Sequence, residues 1–260
     1  MIDPLMFIAL LPAVVLVVYI CRKDRTDKEP PALIAKLLGY GVLSCLPAIV
    51  VELILNAIIE RLNVRNVYLG YFLEAFVVAG LTEETCKFLF LRTTWRNPAF
   101  DYQFDAIVYA VMVALGFAAF ENVKYVYSYG FATGIVRAVT AVPGHAIFGV
   151  FMGYFYGYAK LSDYWGRDDD RKAYLALSVV VPVLMHGCYD FLAFTQESDS
   201  RFTLLFYAYL VALYVFGIRR VNRSSRDDRR VTRETVFDYF RRMQYPMPPQ
   251  YRDRDDDFWR

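Results

Sequence analysis

Residues 104–128 read FDAIVYAVMVALGFAAFENVKYVYS. Between Asp105 and Glu121 no side chain is charged. A helix needs roughly 20 mostly apolar residues to cross the hydrocarbon core of a bilayer, and this run has that length. Its Glu121 and Asn122 follow a stretch of small and apolar residues (Phe117-Ala118-Ala119-Phe120). A carboxylate there lies either at the outer headgroups or inside the membrane, where a charge is costly and marks function.

The same pattern repeats along the chain. Apolar runs at about 4–20, 33–59, 68–91, 104–128, 132–159, 173–194 and 202–218 alternate with short polar connectors. The chain is 57% hydrophobic and 17% aromatic. Unpaired backbone groups in lipid cost several kcal/mol each, so spanning segments are expected to be helices. The expected fold is all-α, a polytopic transmembrane bundle of about seven spans. Residues 4–20 follow an acidic residue and precede no small-residue cleavage site, so they are read as a retained span.

Lys and Arg set the orientation. The first connector carries Arg22, Lys23, Arg25 and Lys28, the third Arg92 and Arg96, and the fifth Lys160, Arg167, Arg171 and Lys172. The even-numbered connectors are poorer, with Arg61 and Arg65, then Lys124, then Arg201. The N-terminus is therefore expected outside and the C-terminus in the cytoplasm. The chain divides into a helical region, 1–218, and a charged cytoplasmic tail, 219–260, with twelve Arg. Within the tail, 232–243 has the pattern of a short amphipathic helix on the membrane surface, against the plainer reading of a solvated charged segment. The net charge is +2 and no basic domain stands apart, so nothing points to nucleic acid. Cys21, Cys45, Cys86 and Cys188 are far apart and are expected to be free packing thiols.

Ionisable residues recur within the spans. The third holds Glu83, Glu84 and Lys87, spaced i,i+4 and i,i+3, so that one ammonium can neutralise either carboxylate. The fifth holds Arg137, His145 and a glycine ladder, Gly149, Gly153 and Gly157, suited to close helix approach. The sixth holds His186 and Asp190, at the spacing that lets a carboxylate fix an imidazole tautomer, one turn after Pro182. Both histidines of the chain fall inside spans. Glu52, Asn56 and Glu74 are further intramembrane polar residues with no assigned role.

Desolvation brings a buried carboxylate toward the range in which a general base works, and an imidazole can stabilise an oxyanion. The same residues suit a divalent metal such as zinc, with Glu84, Glu121, His145 and His186 as possible ligands. No H-E-x-x-H is present. The residues alone leave water-only and metal chemistry open.

The motifs E-E-x-x-K (Glu83, Glu84, Lys87), F-x-x-x-E-N (Phe117, Glu121, Asn122), a fifth-span His145 and H-x-x-x-D (His186, Asp190) occur in that order. Over roughly 30–195 the chain resembles the PrsW family of intramembrane proteases, which is similar to the CAAX prenyl endopeptidase and bacteriocin-processing membrane proteins. The resemblance implies a peptidase of the cell membrane that cleaves within or next to a membrane-anchored substrate such as an anti-sigma factor. It implies Glu83, Glu84, Glu121 and His186 as catalytic, with Lys87, Asn122, His145 and Asp190 in support. The prenyl proteases carry His where this chain has Glu121, and often Asn where it has Asp190. A proton-coupled transporter, or a non-catalytic scaffold or sensor on the same fold, are the competing readings.

Overall fold

The computed structural model describes residues 3–231, apart from the side chain of Glu197. The described residues form an all-helical bundle: α1 (Pro4–Lys23), α2 (Pro31–Leu62), α3 (Val67–Phe72), a π-helical segment (Leu73–Leu81), α4 (Thr82–Leu91), α5 (Gln103–Tyr129), α6 (Phe131–Val139), α7 (Ala141–Tyr164), α8 (Asp168–Ser198) and α9 (Arg201–Arg226). The surface helix expected at 232–243 lies outside the described residues.

Helix ends follow local chemistry. Asp3 caps α1 through the Leu5 amide (2.9 Å), and Pro4 opens it. The α2 helix starts at Pro31 and ends at Asn63 in the left-handed region (φ 48°). Three aspartates, Asp168 to Asp170, occupy the first turn of α8, where negative charge suits the helix dipole.

The spans differ in how much they bury. In α5 78% of the apolar window lies inside the protein, against 17% in α1 and α2 and 22% in α8 and α9. The α5 helix is thus the central post, and the others turn broad apolar faces outward, as lipid-facing helices must. Packing to the post is close. A Cβ on Gly153 would stand 2.4 Å from the Ala106 carbonyl oxygen, so the glycine ladder lets α7 meet α5 backbone to backbone. On the other side Gly41 of α2 and Gly116 of α5 cross, each where a Cβ would reach 2.1 Å from a backbone oxygen of the other helix.

Two expected spans differ from plain helices. Six segments among the described residues are long and apolar enough to cross a membrane: α1, α2, α5, Phe131–Tyr164, α8 and α9. The expected third span is helical throughout 67–91, but its register passes from α to π and back. It is therefore not an uninterrupted α-helix. Runs of π-helix are rare and frequent at functional sites. Gly80 and Gly187 let this segment lie on α8: a Cβ on Gly187 would be 2.3 Å from the Phe76 ring. The fifth span, expected as one helix over 132–159, is broken at Thr140 (φ −123°, ψ −73°) into α6 and α7.

Candidate active site

The π segment delivers the start of α4 to the middle of the bundle. There Glu83, Glu84 and Lys87 are 7%, 0% and 1% exposed. The i,i+3 and i,i+4 spacing of α4 carries both carboxylates to one ammonium: Lys87 Nζ donates to Glu83 Oε2 (3.1 Å) and to Glu84 Oε1 (2.8 Å). Adjacent residues of a helix point about 100° apart, yet both carboxylates reach the one ammonium that their spacing offered them. Their flexible stems let both end on Lys87, because an unpaired buried carboxylate would cost more than the bend.

The third proton of Lys87 meets His145 Nδ1 at 3.1 Å. An ammonium can only donate, so Nδ1 is the acceptor and Nε2 carries the hydrogen. That Nε2–H donates to Glu121 Oε2 at 2.9 Å. Glu121 is therefore level with the cluster, the inner of the two places its sequence allows. Arg137 of α6 forms an ion pair with the same Glu121 oxygen (2.9 Å) and donates through Nε to Asn122 Oδ1 (3.0 Å). Asn122 Nδ2 in turn donates to the Ala9 carbonyl of α1 (2.8 Å).

His186 approaches from α8. Its Nδ1 is 2.9 Å from Glu84 Oε1 and 3.9 Å from Glu83 Oε2, and its Nε2 is 3.2 Å from Asp190 Oδ2. Each imidazole nitrogen thus faces a carboxylate. The residues singled out in the sequence come together: one connected network runs from Arg137 through Glu121, His145, Lys87, the Glu83–Glu84 pair and His186 to Asp190.

Aromatic walls complete the site. Lys87 Nζ lies 4.0 Å from the Phe117 ring centroid, which gives the F-x-x-x-E-N phenylalanine a cation–π role. Phe148 stacks on His186 (5.0 Å, 21°), and the two imidazoles meet edge to face at 5.2 Å. Sequence reasoning missed Phe148. It lies one turn after His145 on α7, the only signal that could have pointed to it.

A cavity of about 480 Å³ opens on this network. Glu83, Glu121, His145, His186 and Asp190 line it, whereas Glu84 stands behind them. Glu52, Asn56 and Glu74, which had no role from sequence, line the same cavity. It extends past Lys124 and Thr133, toward the end of the bundle where α2 and α5 finish.

Four residues offer ligand atoms within 4.8 Å of one another: Glu83, Glu84, His145 and His186. By type and spacing they could hold a metal ion. The set differs from the ligands expected from sequence in one member, Glu83 in place of Glu121. Glu121 is held on the far nitrogen of His145 by Arg137. The middle of the set is filled by Lys87 Nζ, within 3.1 Å of three of the four donors. The Lys87 ammonium and a metal ion would therefore compete for the same ligand atoms.

The sequence profile described as PrsW family intramembrane metalloprotease matches residues 29–218. The chain belongs to the PrsW family of intramembrane proteases. It is 34% identical to Protease PrsW of Bacillus subtilis over 214 residues, 82% of this chain and 92% of that one. It is 35% identical to Protease PrsW of Oceanobacillus iheyensis over 215 residues, 82% and 93% of the two chains. Against Protease PrsW of Clostridioides difficile it is 29% identical over 232 residues, 87% and 94%. No solved structure matches the chain. Family and apolar helices together make it a multi-pass membrane protein and an intramembrane peptidase.

Proposed function

We propose that the chain hydrolyses a peptide bond in or next to the span of a membrane-anchored protein, with an anti-sigma factor as the expected substrate class, using water activated by Glu83. The observation that carries this reading is the division of labour between two adjacent carboxylates. Glu83 faces the cavity, and Glu84 is fully buried behind it, hydrogen-bonded to Lys87 and His186.

In this reading Glu83 accepts a proton from water as the water oxygen bonds to the scissile carbonyl carbon. The charge that develops on the carbonyl oxygen is stabilised electrostatically by the His186 ring, which Asp190 and Glu84 hold at the cavity wall. When the carbon–nitrogen bond breaks, the proton held by Glu83 passes to the leaving amine. His145 and Glu121 hold the opposite wall, and Arg137 and Asn122 fix Glu121. A divalent ion such as zinc takes no step here, because Lys87 occupies its place.

The orientation read from Lys and Arg puts the ends of α2 and α5 outside. The cavity then opens outward, and the charged tail from 219 onward lies in the cytoplasm. A substrate would enter from the outer half of the bilayer.

The test is cleavage of a single-span peptide by the purified full chain in liposomes, with products identified by mass. Wild type is expected to cut it. Glu83→Gln and His186→Ala are each expected to lower kcat by about 100-fold or more. Wild-type rates in both variants would refute the assignment.

A further inference from the structure

The family to which this chain belongs is described as metalloproteases, yet the centre of the donor set holds a side chain. We propose that Lys87 is the resident cation of this site, so that the wild-type chain takes up a divalent metal there only when Lys87 is removed. The inference deepens the peptidase reading above and rests on it only for where the site lies.

Geometry supports it first. An ammonium has three N–H donors and no acceptor. Lys87 Nζ meets three acceptors, at 3.1, 2.8 and 3.1 Å, on Glu83, Glu84 and His145. Its hydrogen-bonding capacity is complete, and its contact lengths are those of N–H bonds, not of metal ligation.

The spacing of the donors agrees. Zinc binds imidazole nitrogen and carboxylate oxygen at about 2.0–2.2 Å, which sets tetrahedral ligand atoms about 3.4 Å apart. Four ligands about 3 Å from a central atom would instead stand about 4.9 Å apart, and donor–acceptor distances near 3 Å are those of hydrogen bonds. The three acceptors around Nζ lie 2.8 to 3.1 Å from it, in the second of these two classes.

The surroundings hold Lys87 in place. It is 1% exposed, and Phe117 presents its ring face 4.0 Å from Nζ. A snorkelling lysine reaches for water at a helix end, whereas this one is enclosed among counter-charges. Binding a metal would require its ammonium to leave both carboxylates, a buried cation with nowhere equivalent to go. The second oxygen of Glu84, buried and with no hydrogen-bond partner among the described residues, is a further donor that becomes usable once Nζ is gone.

The experiment measures metal per chain, with no substrate present. Full-length protein in detergent is stripped with chelator, dialysed against Zn²⁺ and assayed by elemental analysis, with Co²⁺ visible absorption as a second readout. Wild type is expected to hold less than about 0.1 ion per chain and Lys87→Met about one, a tenfold gain, with tetrahedral Co²⁺ bands in the variant alone. Lys87→Met combined with His145→Ala should fall back to the wild-type level.

Wild type holding about one ion per chain, lost on Glu84→Gln, overturns the inference. So does a folded Lys87→Met that stays at the wild-type level. Should Lys87→Met not fold, the comparison of wild type with Glu84→Gln decides alone: metal in the first and not the second refutes the proposal, and metal in neither upholds it. Peptide cleavage plays no part in this readout, so either reading can fail without the other.

Discussion

Two groups of buried and half-buried acids sit in the bundle, one in its middle and one at its end, and they are neutralised in different ways. In the middle, Glu83, Glu84, Glu121 and Asp190 each meet a cation or an imidazole: Lys87, Arg137, His145 or His186. At the end where α1 gives way to α2, Asp24, Glu29 and Asp105 gather with little positive charge around them. Their contacts are a tyrosine hydroxyl and backbone amides. Tyr109 Oη donates to Glu29 Oε1 (2.9 Å), and Asp105 Oδ2 accepts from the amides of Asp101 and Tyr102 (3.1 and 2.7 Å). One oxygen on each of these three acids has no hydrogen-bond partner among the described residues.

The contrast separates function from packing. Balanced charges in a cavity keep ionised groups available for chemistry. Acids buried with little positive charge nearby hold their protons more tightly. Burial pushes Asp24 up to about 6, partly offset by Lys28, and Glu29 up to about 7, partly offset by the Tyr109 hydroxyl. Both lie in the connector outside the spanning helices. Beside the second cluster the chain beyond α9 is fastened, since Asp228 Oδ1 accepts from the Phe104 amide and the Val231 amide donates to the Asp101 carbonyl.

The largest expected effect breaks the balance in the central group. Lys87→Met in metal-free buffer leaves two buried carboxylates facing each other without a cation. It is expected to lower stability by about 3–5 kcal/mol, read as a fall in unfolding temperature in detergent. A wild-type unfolding temperature would mean that Lys87 does not neutralise the pair.

A smaller effect is expected one step out. Arg137 holds Glu121 without touching the acids of α4. Arg137→Met is expected to lower kcat about tenfold, or ~1.4 kcal/mol in the barrier, with KM little changed. Arg137→Lys, which restores the positive charge, should recover most of the loss. Equal loss in both variants would show that the fork geometry of the guanidinium matters more than its charge.

The smallest effect concerns the acids at the bundle end. The carboxyls of Asp24 and Glu29, in the connector, bind protons more tightly in the folded chain than in the unfolded one, where the values are about 3.9 for Asp and 4.3 for Glu. Stability is therefore greatest below the unfolded values, falls as pH rises through about 4 to 7, and is level above that window. Unfolding temperature is expected to be higher at about pH 5 than at about pH 8, and Glu29→Gln should shrink that difference with catalysis unchanged. A pH dependence untouched by Glu29→Gln would place its source elsewhere.

The sequence made some of this legible. Charge-free runs located α1, α2, α5, α8 and α9, because burial in lipid leaves no other use for such stretches. Their ends ran longer than expected: α8 covers 168–198 against 173–194, and α9 reaches Arg226 against 218, since a helix continues into the polar layer wherever water satisfies it. The π register of 73–81 was hidden, because it depends on Gly80 and Gly187 meeting across two helices. The break at Thr140 was hidden for a similar reason, since α6 turns to bring Arg137 onto Glu121.

In the site, the acids and histidines stood out because charge in an apolar span is costly. Phe148 on His186 did not stand out, because such a residue is ordinary in a helix until the partner is seen, and Asn122 stood out while its partner, the Ala9 carbonyl, did not. The cluster of Asp24, Glu29 and Asp105 escaped notice because its members lie in or beside polar connectors.

The central claim is that Glu84 and His186, 2.9 Å apart and 102 residues distant in sequence, work as one unit. A double-mutant cycle on kcat/KM with Glu84→Gln and His186→Ala tests it directly. If each single change costs about 100-fold, the double variant should be little worse than the poorer single one, as for groups that act together. Losses that multiply to about 10⁴-fold would show two independent residues and contradict the account.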